Sequence, residues 1–176
     1  MHKLILIERP NNWWPNLIKG KKKEELSIEK IINKYQGFEG ELIDFFQINE
    51  HENENKLKKI IDSYLEIKKL GNCFVLYVTS GFQKIPNLLK ERIIFIGYDV
   101  GICEVETTMY SSILQEILVW RINELIDYKD VLNENLLFQD RLAAEKYVDF
   151  HNKLSIQGKN VEDYFEMIIY EIWKVE

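Results

Sequence analysis

The chain has 176 residues, 46% apolar and 30% charged, with 23 basic and 29 acidic side chains for a formal charge of −6. That length and balance describe a single globular domain over residues 1–176, able to bury roughly 70% of its unfolded surface, and they exclude disorder along the whole chain. The acidic sign excludes a general nucleic-acid coat, which needs a basic face, and it suits attraction of a basic protein.

Leu4–Glu8 is a short β-branched run and reads as a strand. Arg9–Pro15 holds two prolines and two asparagines and reads as loop. Ser27–Tyr35 is expected to be helical: Ser27 is a good N-cap, Leu26 and Ile31 stand at the hydrophobic-staple positions, and Ile28, Ile31, Ile32 and Tyr35 share a stripe. Glu41–Ile48 fits neither period cleanly and leans to strand. Asn49–Asn55 is a polar connector.

Lys56–Leu70 is the clearest amphipathic helix. Leu57, Ile60, Ile61, Tyr64 and Ile67 line its apolar face, and Gly71 stands where a C′ glycine belongs. Cys73–Val78 reads as a fully buried strand, Ser80-Gly81 as a turn, and Pro86–Glu91 as at most one or two helical turns. Ile93–Tyr98 reads as another buried strand that breaks at Gly97 and again at Gly101. Met109 to about Asp127 is expected to be helical. A further helix runs from about Asp140, its cap, to Leu154, with Ala143, Tyr147, Phe150 and Leu154 on one face. Tyr164–Val175 alternates and is apolar on both faces at its middle, as in a strand covered on both sides or lying inside a sheet. Strands and helices do not alternate strictly. The expected class is α+β, with one mixed or largely antiparallel sheet of about five strands packed against three to four helices.

Cys73 and Cys103 make no disulfide framework, and Cys73 sits in an apolar run as a small hydrophobe. The apolar start is too short for a signal-peptide core, no stretch reaches the length of a membrane span, and a reducing cytoplasm is the expected compartment.

Catalytic signatures are few. His2, His51 and His151 have no ligand partner at helical metal spacing, so no metal site or cofactor is expected. Thr79-Ser80-Gly81 lacks the first glycine of a nucleophile elbow, and Gly97 and Gly101 lack both the P-loop ending and the dinucleotide spacing. Trp13 and Trp14 beside Lys19 and Lys21–Lys23 could stack on bases, but Glu24 and Glu25 follow at once, and a packed loop with a solvated lysine cluster is the stronger reading.

Polar groups do gather after the Ile93–Tyr98 strand. Asp99, Glu104 and Glu106, with Tyr98 and Tyr110 nearby, form the first candidate contact group, and the acidic tip Glu50, Glu52 and Glu54 forms the second. Carboxylates there can cap a helix, serve acid–base chemistry or face a partner.

Phe95–Gly101, then Tyr110-Ser-Ser-Ile113 and Glu116–Leu118, resemble a segment of small bacterial immunity proteins of toxin–immunity systems. The closing Ile169–Val175 resembles the aromatic strand on which several of them end. The resemblance covers about a quarter of the chain. It implies a non-enzymatic cytoplasmic protein that binds and blocks one cognate toxin, and it carries over no individual toxin-blocking residue. A nuclease-type toxin would be basic, because it must attract phosphate. The expectation is therefore a protein-binding module with a basic toxin domain as partner, no nucleic acid, no membrane, and a monomer or homodimer. The competing expectation is a small-molecule binder or hydrolase-like enzyme with its pocket at a Gly97–Gly101 turn.

Overall fold

The computed structural model describes residues 2–8, 42–49, 51–71, 73–80, 84–102, 131, 133, 137–156 and 167–176. The expected loop at Arg9–Pro15, the helix at Ser27–Tyr35 and the helix from Met109 to about Asp127 lie outside them. Eight elements follow one another: β1 (His2–Glu8), β2 (Leu42–Gln47), α1 (Glu54–Leu70), β3 (Cys73–Ser80), α2 (Asn87–Lys90), β4 (Ile93–Ile102), α3 (Arg141–Ile156) and β5 (Met167–Val175). The strands form one antiparallel five-stranded sheet in the order β2-β1-β3-β5-β4, with α1 packed on it, and the fold class is α+β.

The chain divides into two compact units. The first holds the described residues within Met1–Trp13, Glu39–Ile96 and Tyr170–Glu176, and the second those within Gly97–Ile169.

In the first unit β1 is the organising strand. It pairs β3 from His2↔Thr79 to Glu8↔Cys73, and β2 from Lys3↔Gln47 to Ile7↔Leu42. β3 pairs β5 with Tyr77 opposite Trp173. Where β5 ends, the Glu176 N–H donates to the Arg92 carbonyl at 2.7 Å, and Phe95 meets the Trp173 ring edge-on at 5.0 Å. β5 thus lies inside the sheet, which explains why its sequence is apolar on both faces.

Successive side chains of a strand point to opposite faces, and opposed residues of a pair share one. Leu4 and Leu6 therefore stand with Tyr77 and Val75, and α1 covers that face with Leu57, Ile61 and Tyr64. Ile5, Ile7, Leu76 and Ile172 are buried as well, so the central strands are covered on both faces. Each such aliphatic side chain contributes about 1.5–3 kcal/mol on burial.

The start of α1 is set by Asn53, whose side-chain oxygen accepts from the N–H groups of Asn55 (2.9 Å) and Lys56 (3.3 Å). The helix therefore begins at Glu54, two residues before the expected start at Lys56. Its end departs from expectation. Gly71 is extended (φ −141°, ψ −180°) rather than left-handed, because the chain leads straight toward β3.

The second unit centres on α3. The Asp140 carboxylate accepts from the Ala143 N–H at 2.8 Å, as the sequence suggests. The buried stripe is Ala144, Tyr147 and His151, one position on from Ala143 and Phe150, which are only half-buried. Tyr147 lies between the rings of Phe138 (5.5 Å) and His151 (6.2 Å).

β4 differs from its sequence reading in two ways. It does not break at Gly97 or Gly101 but runs on as strand to Ile102, so the expected Gly97–Gly101 turn is not formed. Its first residues are not fully buried either: Ile94 and Phe95 are exposed, because β4 stands at one end of the sheet. Gly97 serves a different purpose. Tyr98 and Phe138 exchange backbone hydrogen bonds of 3.0 and 2.8 Å. This bridge brings the Leu137 Cβ within 2.6 Å, and the Phe138 carbonyl within 2.9 Å, of where a Gly97 side chain would stand. Its φ of +145° is likewise open only to glycine.

Candidate functional site

The other end of the sheet is β2, and its edge is unusual. End strands are normally blunted by charge, proline or bulges. β2 has two of these devices, the exposed Asp44 and a register slip at Ile43, where Leu6 faces Asp44 but Ile7 faces Leu42. It also presents apolar surface: Ile43 is 47% and Phe45 43% exposed. The Lys3 ammonium lies 5.5 Å from the Phe45 ring centre. On the other face Phe46 is half-buried under the core, with Lys56 at 4.9 Å over its ring.

Backbone parity assigns the free edge. The Ile48 N–H donates to the His2 carbonyl at 2.9 Å, so Ile48 turns its amide toward β1. Alternation then turns Phe46 the same way and points the amides of Phe45 and Gln47 outward. The Phe45 N–H confirms it, because it donates not to β1 but to its neighbour's carboxylate, Asp44 Oδ1, at 2.8 Å. Asp44 thus occupies a strand-pairing position on the open edge. From the core side the Tyr64 hydroxyl meets the same carboxylate. Burial first, and the Asp44 contact second, hold the Tyr64 pKa well above the ordinary phenol range.

Four of the eight sequence-derived contact residues, Tyr98, Asp99, Glu52 and Glu54, lie among the described residues. Asp99 lies on β4 at 1% exposure, and its Oδ1 accepts from the Val100 N–H at 2.9 Å. A carboxylate so enclosed offers no surface to a partner, which corrects its place in the contact group. Tyr98 is half-buried and tied to Phe138 through its backbone. Glu104, Glu106, Tyr110 and Glu50 lie outside the described residues. The Glu52 side chain is only 9% exposed and pairs with Lys56 at 3.2 Å, so it braces the start of α1. Glu54 is exposed in the first turn of α1, where the helix dipole favours it.

A buried polar group also went unnoticed in the sequence. His2 Nδ1 bonds the Tyr77 hydroxyl, and Thr79 lies on the same face beside them at 1% exposure. Burial pushes the Tyr77 pKa up to about 12, against a smaller downward pull from Thr79, with Glu171 adding to the rise. The available signal was parity: His2 shares the face of Leu4 and Leu6, the apolar side of β1. The group ties β1 to β3 from within and opens to no surface, since His2 is 8% and Tyr77 0% exposed.

Among the described residues no cluster of three His, Cys, Asp or Glu side chains could hold a metal ion, and no helix is long and apolar enough to cross a membrane. Comparison with protein families, with curated proteins and with solved structures gave no match.

Proposed function

We propose that the chain is a non-enzymatic protein-binding module of the immunity type, which neutralises a basic, nuclease-type toxin. The observation that carries this reading is the exposed pair Ile43 and Phe45 on an end strand beside Asp44. Apolar side chains on a sheet edge invite another chain to pair, and a fold that keeps them has a use for that pairing. The acidic balance of the chain speeds encounter with a basic protein and disfavours nucleic acid.

The test is co-purification from the source cells with tagged full-length chain, run in parallel with an Ile43→Asp, Phe45→Asp double variant. The reading expects one basic protein, toxic when expressed alone, on the wild type and absent from the variant. Recovery of no such protein, or equal recovery on both chains, contradicts it.

A further inference from the structure

We infer that β2 takes up its partner by strand addition, and that the segment added is an extended, lysine- or arginine-bearing strand. This deepens the protein-binding reading above and rests on it.

Charge makes the first argument. Between Tyr35 and Asn55 the sequence has no lysine or arginine, but it has Glu39, Glu41, Asp44, Glu50, Glu52 and Glu54. Those six account for the whole net charge of −6, and the remaining 23 acidic residues balance the 23 basic ones. β2 lies at the middle of that segment. The excess negative charge of the chain is therefore carried by the stretch that contains its apolar end strand.

Backbone geometry makes the second. Phe45 and Gln47 turn their amides away from β1, and the Phe45 N–H is satisfied by Asp44 Oδ1 at 2.8 Å. An arriving strand supplies a carbonyl to that N–H and displaces the carboxylate. Asp44, released from the Phe45 N–H but still met by the Tyr64 hydroxyl, then stands next to the incoming strand, where a cationic side chain can pair with it. A neutral strand would displace the carboxylate without that return. A second copy of this chain is a poor occupant, since two β2 edges would bring two acidic segments together. Ile43 and Phe45 supply the apolar contact that backbone pairing alone lacks.

The test uses the full chain and two short capped peptides, one alternating lysine with valine and one alternating glutamate with valine, read by residue-resolved amide exchange. The lysine peptide is expected to slow exchange at Phe45 and Gln47 by ~tenfold or more, and the glutamate peptide to leave both unchanged. Gln47→Pro removes an outward N–H without touching the β1 ladder and should abolish the protection. Asp44→Asn keeps the acceptor, loses the charge, and should weaken lysine-peptide binding and flatten its salt dependence. The inference is overturned if the lysine peptide leaves Phe45 and Gln47 unprotected, or if both variants bind it as the wild type does. Protection that grows with chain concentration alone assigns the edge to a second copy and also overturns it. A captured basic partner that leaves β2 exchange unchanged sinks strand addition but not the protein-binding reading. Peptide protection without any natural basic partner sinks the toxin reading and keeps the edge.

Discussion

β3 and β2 belong to one sheet and have similar apolar content, yet they stand in opposite situations. β3 lies between β1 and β5, and Val75, Leu76 and Tyr77 are all buried. Among the described residues β2 has β1 on one side and no strand on the other, and its Ile43 and Phe45 are exposed. Burial follows from neighbours on both sides, not from composition. In β3 the apolar side chains hold the fold together, while in β2 Phe46 packs against that core and Ile43 and Phe45 stand exposed, the pair proposed to meet another chain.

Substitution should separate the two strands most clearly by size of effect. Tyr77→Ala removes a fully buried ring from the core and should cost about 3–5 kcal/mol of folding stability, enough to unfold a marginal domain. Phe45→Ala should cost a small fraction of that by denaturant titration, and an equal loss at both positions would erase the distinction.

Tyr77→Phe is subtler, because it keeps the ring and leaves His2 Nδ1 without its hydroxyl partner. A loss of about 1–3 kcal/mol is expected. The same hydroxyl sets an alkaline limit. Its folded pKa, about 12, lies above the ordinary 10.0, so the buried neutral form contributes stability that is fully present below pH 10.0 and is lost as pH rises toward 12. Tyr77→Phe should therefore lose less stability than wild type over that window, and parallel curves would show that Tyr77 is not the group responsible. A smaller effect concerns the helix that covers β3. Asn53→Ala removes the cap of α1 and should cost about 1 kcal/mol, read as a lower midpoint with an unchanged denaturant slope.

Much of the sheet was legible in the sequence. β1, β3 and β5 read as strands from β-branched and aromatic runs, and the two-faced apolar pattern of β5 fits its place inside the sheet. β2 was ambiguous for a physical reason: a strand with exposed apolar residues and a register slip at Ile43 does not show the alternation of a half-buried strand. β4 was read too short, because Gly97 and Gly101 looked like breakers. Gly97 is there to admit the Leu137–Phe138 backbone, which approaches from forty residues later in the chain and leaves no local trace. The same distance hid the site. Asp99 looked like surface because polar residues followed it, and His2 looked idle because Tyr77 lies 75 residues away. Asp44 was legible as a carboxylate but not as the group that occupies an open backbone donor.

On the proposed reading Ile43 and Phe45 serve binding, while the rest of β2 pairs with β1 and packs on the core. Phe45→Thr tests it most directly, with unfolding free energy and affinity for the co-purified basic protein measured on the same preparation. The account predicts stability within about 0.5 kcal/mol of wild type and a loss of affinity of at least about tenfold. A protein that loses stability as a core variant would, yet binds its partner as before, would contradict it.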